Sequence, residues 1–315
     1  MKRIIISWGL LLLCNLMWAL QFTCIKLVQD QVGPYFTVWA PMTMAVLLLL
    51  PFILRERNDQ KRSVSDLLVF VRLGLLGAFP AQVLMTWGTQ YSTATNAAVL
   101  TLSLPVISTL FAFLMLKEKM NPVRWVSFAV AIIGVVLCTF GDIRQADFTA
   151  GYTVGNLLIF LAIVGNAYYN TGCKAIASRY SEIEMVFYTY VVMIIFLTPL
   201  VLFYEPEVFG RIGVFTVQTW TGLALLTLFH NFLSMVLFFK ALKTLDAMQV
   251  ALSNYMITFM GLPIAAIWLG EALSGYAIAG GMLVLAGTLI VTIVDYRMSN
   301  HTAIIKTKKW KILNP

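Results

Sequence analysis

Inside the long uncharged stretches of this 315-residue sequence, polar side chains are few and recur at helical spacing. Thr227, His230, Asn231 and Ser234 stand at i, i+3, i+4 and i+7, one stripe of a helix. The ring of His230, near the centre of its stretch, can change charge close to neutral pH and so couple a proton, or it can simply bond a neighbouring helix. Asn166, Tyr169 and Asn170 make a second face, with Tyr168 beside it. Two amides one turn apart offer donors and acceptors to a zwitterionic or hydroxylated ligand, or equally to an adjacent helix. Asn15, Trp18, Phe22 and Lys26, at intervals of 3, 4 and 4, keep a third face, which can line a cavity or pack in a core. Asn254, with Tyr255 adjacent, shares a face with Ala251, Thr258 and Gly261, and Gln82 has Phe79 one turn back.

No catalytic constellation accompanies these groups. The chain has no P-loop, HExxH or nucleophile elbow and no metal-ligand cluster, so the sequence points to no catalytic residue, metal or cofactor. Cys14, Cys24, Cys138 and Cys173 all fall in apolar runs without CxxC spacing, which reads as buried packing. All 14 acidic residues lie at the ends of runs or between them.

The elements that must hold these stripes follow from composition. Hydrophobic residues make up 60% of the chain and charged ones 11%, far from the soluble range of roughly 45–50% and about 25%. Nine runs free of Asp, Glu, Lys and Arg cover most of the chain, and about 20 apolar residues cross a bilayer as a helix. Leu73 to Leu116 is 44 residues long with a polar turn from Gln90 to Asn96, and so divides in two. The expectation is an all-α polytopic membrane protein with ten transmembrane helices. Met1 to Leu20 has the basic start of a signal peptide but no cleavage pattern, and reads as a retained first span.

Basic residues set the orientation. Alternate segments beginning with Lys2 and Arg3 hold 18 Lys and Arg, whereas the intervening ones hold only Lys26, Arg144 and Arg211. That bias places both termini in the cytoplasm of, most simply, a bacterial inner membrane. Arg72, two turns into span 3, can snorkel to headgroups or bind an anion. The tail from Lys306 to Lys311 suits anionic lipid. A net charge of +8 spread between spans, with no reading motif, argues against a nucleic-acid partner.

The chain is also duplicated. At an offset of 148, Ala19, Thr23, Lys26 and Pro51 meet Ala167, Thr171, Lys174 and Pro199, and at 153, Ala98, Glu118 and Gly134 meet Ala251, Glu271 and Gly287. Residues 1–148 and 149–315 are then two five-helix repeats joined across Gly141 to Gly151. An odd number of spans inverts the second copy, the arrangement behind alternating access. Ser127 with Gly280, and Gly134 with Gly287, put small residues at equivalent places in spans 5 and 10, which reads as close helix packing. Glu118 and Glu271 end spans 4 and 9, where they can cap structure or gate an exit.

Trp18-Ala19-x-x-Phe22-Thr23-x-x-Lys26, Ala97-Ala98, Pro105 and Leu116-Lys117-Glu118 resemble the EamA branch of the drug/metabolite transporter superfamily. The second copy echoes them with Ala241-Leu242-Lys243 and Leu269-Gly270-Glu271 but departs at Asn166 and Thr258, which stand where the first has Trp18 and Pro105. The resemblance implies a transport role, with efflux favoured, and a cavity surrounded by spans 1, 3, 4, 6, 8 and 9 with 5 and 10 behind. It does not imply a substrate.

The combined expectation is a secondary transporter of a small organic solute, an amino acid or related metabolite, with possible proton coupling and no set oligomeric state. Substrate-binding candidates are Asn15, Trp18, Phe22, Gln82, Asn166, Tyr169, Asn170, His230, Asn231, Asn254 and Tyr255. A lipophilic cation held on ring faces is an alternative solute, and a non-transporting receptor or scaffold is an alternative of another class.

Overall fold

A computed structural model describes residues 2–55, 64–117, 122–140, 150–244, 253–272, 274–287 and 289–290. Every regular element among them is a helix. The surface is the reverse of a soluble protein's: Leu54, Phe203 and Ile267 are 75%, 77% and 79% exposed, whereas Asn15, Thr23 and Asn156 are fully buried. Helices satisfy their own backbone, so an apolar exterior of this kind belongs in lipid.

Six helices are long and apolar enough to cross a membrane: Ile6–Val28, Pro34–Arg55, Leu67–Tyr91, Gly151–Ile176, Glu182–Tyr204 and Val217–Thr244. The bent pair Ala94–Thr101 and Leu104–Met115 makes a seventh. Trp125–Leu137, Tyr255–Leu269 and Gly275–Gly287 are apolar but shorter, at 10–17 residues. Among the described residues there are therefore six or seven candidates for the ten expected spans. The linker from Gly141 lies almost wholly outside the described residues, as do Glu118, Ala251 and the basic tail. Arg72 is exposed.

Prolines and side-chain caps shape the elements. Helix α1 (Lys2–Val28) turns at Gly33 into α2 (Pro34–Arg55), whose first residue is a proline, where the missing N–H costs nothing. Helix α3 (Val64–Leu73) passes through a π-helical turn, Gly74–Ala78, into α4 (Phe79–Tyr91). Pro80 stands just after that turn; lacking an N–H and crowding the carbonyl four residues back, it favours the wider register. Helices α5 (Ala94–Thr101) and α6 (Leu104–Leu116) meet at a 43° bend, because Pro105 cannot donate to Thr101. The family-like Pro105 thus breaks its span. Helix α7 covers Pro122–Phe140 and α8 Ala150–Ile176, and α9 (Glu182–Tyr204) opens with a Ser181/Glu184 capping box. After the short α10 (Glu207–Arg211) come α11 (Val217–Leu225), a second π-helical segment Leu226–Leu233, and α12 (Ser234–Thr244). Helices α13 (Tyr255–Leu269) and α14 (Gly275–Gly287) complete the described chain.

Close packing fixes how the helices lie. On α4, a Cβ at Gly88 would stand 2.6 Å from the Gly155 carbonyl of α8, and one at Gly155 would stand 2.8 Å from the Gly88 carbonyl. Gly165 lies equally near Gly77 and Ala81, so the two helices touch backbone to backbone along their length. Helices α7 and α14 cross likewise, Gly134 against the Gly280 carbonyl and Gly287 against that of Ser127. The small residues singled out in spans 5 and 10 therefore meet each other. Helix α1 packs on α11, α12 and α13, and α2 on α9.

Carboxylates tie helix starts across the bundle. Glu205 accepts from the Tyr35 and Phe36 N–H groups at 2.9 and 2.8 Å, and Glu271 from those of Ala94 and Thr95 at 3.0 and 2.7 Å. Glu271 thus caps α5 rather than the helix it follows, using the positive end of the helix dipole. Both Leu-x-Glu ends stop their helices with a left-handed residue, Lys117 at φ 56° and Gly270 at φ 66°.

Candidate functional site

The faces of α1, α2, α4, α5, α6, α8, α9, α12 and α13, with the two π segments, enclose a cavity. It encloses about 740 Å³ of non-atom space, its open mouth included. Trp18, Phe22, Gln82, Asn166, Tyr169, Asn170 and His230 line it, as does Gln21. Met42, Met85 and Met235 supply soft, adaptable apolar walls. Every described lining side chain is uncharged.

A smaller space adjoins it, lined by Ile25, Thr37, Val38, Thr86, Leu226 and Asn231, and shares Gln21, Gln82 and His230 with the first. On α1, α2, α4 and the second π segment alike, these residues lie about one turn nearer the α1–α2 turn than those of the main cavity. The two spaces are stacked, and a 3.2 Å bond from Gln21 Nε2 to Gln82 Oε1 runs between their shared walls.

Hydrogen bonding separates groups committed to the protein from those left for a ligand. Trp18 Nε1 donates to Ser234 Oγ at 3.0 Å, and Ser234 in turn donates to the His230 carbonyl. Tyr169 donates to Thr189 Oγ1 at 3.2 Å, and Tyr190 to Asn231 Oδ1 at 3.1 Å. In contrast, neither ring nitrogen of His230 has a partner among the described residues, and the amides of Asn166 and Asn170 have no protein partner there either. A neutral imidazole and two amides together offer acceptors and donors without net charge.

Three sequence candidates lie elsewhere. Asn15 is fully buried and donates to the Ser253 carbonyl at 2.8 Å, joining α1 to the start of the α13 region. Asn254 and Tyr255 are buried at the start of α13 and line neither space. Asn231 reaches only the smaller one. Gln21 and Tyr190 are lining residues that the stripes did not single out. Gln21 was legible as a polar residue one turn from Trp18, whereas Tyr190 lies on α9, a helix that the family resemblance leaves out of the cavity wall.

The EamA-like transporter family matches this chain twice, over residues 5–140 and 153–293. A probable terminal-alkyne amino-acid exporter of Streptantibioticus cattleyicolor is 27% identical over 90% of this chain and 92% of its own. An uncharacterized transporter of Archaeoglobus fulgidus is 25% identical over 90% and 96%, and the uncharacterized transporter YetK of Bacillus subtilis 25% over 64% and 60%. A solved crystal structure superposes with a TM-score of 0.64 at 15% identity, covering 91% of this chain and 98% of its own, a likeness of fold.

Proposed function

We propose that this chain, which belongs to the EamA-like transporter family, exports a small organic solute, an amino acid or related metabolite, by alternating access. One observation carries the reading: an uncharged cavity, lined from both halves of the chain, whose polar groups without a partner among the described residues include two asparagine amides and an imidazole. Such a set suits a neutral or zwitterionic solute, and the absence of a carboxylate from the described lining disfavours a lipophilic cation. The exporter named among the relatives supports both the solute class and the outward direction.

Ten spans in an inverted 5 + 5 repeat, divided near residue 148, make alternating access possible. Paired geometry supports that arrangement. Lys26 donates to the Gln90 carbonyl near the end of α4 at 3.1 Å, and its equivalent Lys174 to the Leu242 carbonyl near the end of α12 at 2.7 Å. The first π turn begins at Gly74 and the second at Leu226, an offset of 152 that falls between the two sequence offsets. The α7–α14 crossing maps onto itself when the halves are exchanged. The basic bias supports cytoplasmic termini in a bacterial inner membrane.

Purified protein in liposomes, loaded with amino acids of varied side chain and charge, tests the reading. Saturable exchange of neutral amino acids, lost in Asn166→Leu and Asn170→Leu, is the expected result. Flux no greater than in empty liposomes for every amino acid, from folded protein, would overturn it.

A further inference from the structure

The two π segments occupy equivalent places but arise by different means. In the first half Pro80 follows the turn and denies the α register its hydrogen bond. The equivalent position in the second half is Phe232, whose N–H is intact, so nothing in the backbone forbids an ordinary α-helix there. What stands in the second turn instead is a side chain. Asn231 Nδ2 donates to the Leu226 carbonyl, five residues back, at 2.9 Å, while its Oδ1 accepts from Tyr190 on α9. Three residues further on the spacing recurs, the Ser234 N–H bonding the Phe229 carbonyl five residues back.

We propose that Asn231, oriented by Tyr190, is the positioning residue that holds this wide turn open and thereby keeps His230 facing the cavity. Closing a π turn to α removes one residue from the register and rotates the flanking segments by about 100° relative to each other. His230 lines both spaces in the open register. A rotation of that size carries it to a different face of the helix, and its two unpartnered nitrogens leave the cavity with it. The buried Asn231 therefore sets which group the solute meets, without lining the main cavity itself. For its effect on transport the proposal rests on the cavity being the solute site; the positioning itself does not.

The test reads the direction of position 230 directly. In the full chain in membranes, Cys14, Cys24, Cys138 and Cys173 are replaced by Ala, and His230→Cys or Asn166→Cys is introduced singly. The rate of modification by methyl methanethiosulfonate, a small uncharged probe, is measured for each. Adding Asn231→Leu, similar in size but unable to clamp Leu226 or meet Tyr190, is expected to slow labelling at position 230 at least tenfold while position 166 changes less than twofold. Tyr190→Phe, which removes only the orienting hydroxyl, is expected to slow position 230 several-fold and serves as the decisive variant if Asn231→Leu fails to fold. Labelling at position 230 within twofold of the parent in a folded Asn231→Leu or Tyr190→Phe protein overturns the proposal, as does a parent in which position 230 does not react at all. Because labelling needs no transported solute, a negative liposome screen and a negative labelling result remain separate findings.

Discussion

Replacing Gly88 with Ala adds one methyl group at the tightest point of the α4–α8 crossing. The new Cβ would lie 2.6 Å from the Gly155 carbonyl oxygen and 2.8 Å from both the N and Cγ1 of Ile159, whereas ordinary contact begins at 3.4 Å. The helices must part by roughly 0.8 Å, and because two of the three obstacles are backbone atoms, no rotamer change relieves them. Overpacking of this kind costs about 1–3 kcal/mol. Ala recovers about 0.5–1 kcal/mol of helix propensity, leaving a net loss of up to about 2.5 kcal/mol. At about 2 °C per kcal/mol for a chain of this length, the midpoint of thermal unfolding in detergent should fall by up to about 5 °C. Gly9, on α1, has nothing within 4 Å of its Cβ position, so Gly9→Ala should keep the propensity gain and raise the midpoint. The opposite signs are the measurement. If Gly88→Ala stabilises as much as Gly9→Ala, the two helices do not touch at this point and the close crossing is wrong.

Glu271→Gln should lower the unfolding midpoint by the equivalent of about 1–2 kcal/mol, since it replaces two charge-assisted bonds to the start of α5 with at most one neutral acceptor's worth; an unchanged midpoint would show that the cap contributes nothing. Glu205 is held above the usual carboxylate value of 4.5 by burial, against the opposing pull of its bonds to the Phe36 and Tyr35 N–H groups. The folded state therefore takes up the proton first, and as pH falls from above its raised pKa toward 4.5 Glu205 adds stability, which is lost again as pH rises. Comparing unfolding at pH 5 and 7.5, Glu205→Gln should show a smaller gain on acidification than the parent, and an equal gain would refute the linkage. Lys117 is exposed with a left-handed φ of 56°, so Lys117→Gly should stabilise by about 1 kcal/mol, and Gly270→Ala, at φ 66°, should destabilise by a similar amount; like signs for the two would refute the strain argument.

Much of the cavity was legible because a polar side chain inside an apolar run is costly and so must face something. Trp18, Gln82, Asn166, Tyr169, Asn170 and His230 follow from that rule, Phe22 follows from sharing the face of Trp18, and all line the main space. The rule cannot say what they face. Asn15 is as deep and as polar as Asn166, yet its amide meets the Ser253 carbonyl at the beginning of another segment, which no local pattern encodes. The stripe of Thr227, His230, Asn231 and Ser234 assumes 3.6 residues per turn, but residues 226–233 are π-helical. The stripe accordingly divides: Thr227 bonds Leu223, Asn231 bonds Leu226, Ser234 meets Trp18, and His230 alone reaches the main cavity. Asn96 and Asn156 are buried together with Ser92 and Tyr152 between α5 and α8; the sequence marked Asn96 only as part of the polar turn that divides its run, and no local pattern joins it to Asn156.

The two halves agree where they hold the scaffold and differ where they face the cavity. At offset 148, the packing and capping residues Ala19, Thr23 and Lys26 recur as Ala167, Thr171 and Lys174. On the same helices Trp18 becomes Asn166, Gln21 becomes Tyr169 and Phe22 becomes Asn170, and both members of each pair line the cavity. Met42 and Tyr190 at the same offset, and Ala78 and His230 at 152, repeat the pattern. A duplicated fold needs matching backbone contacts in both copies, so small residues and caps are held alike. A solute with distinct ends has no such symmetry, and a lining with like residues from both halves would offer each end the same groups. In four of these five pairs the first copy gives the more apolar side chain, Trp18, Phe22, Met42 or Ala78, and the second a hydrogen-bonding one, Asn166, Asn170, Tyr190 or His230. A solute lying between the two copies would therefore meet different groups from each.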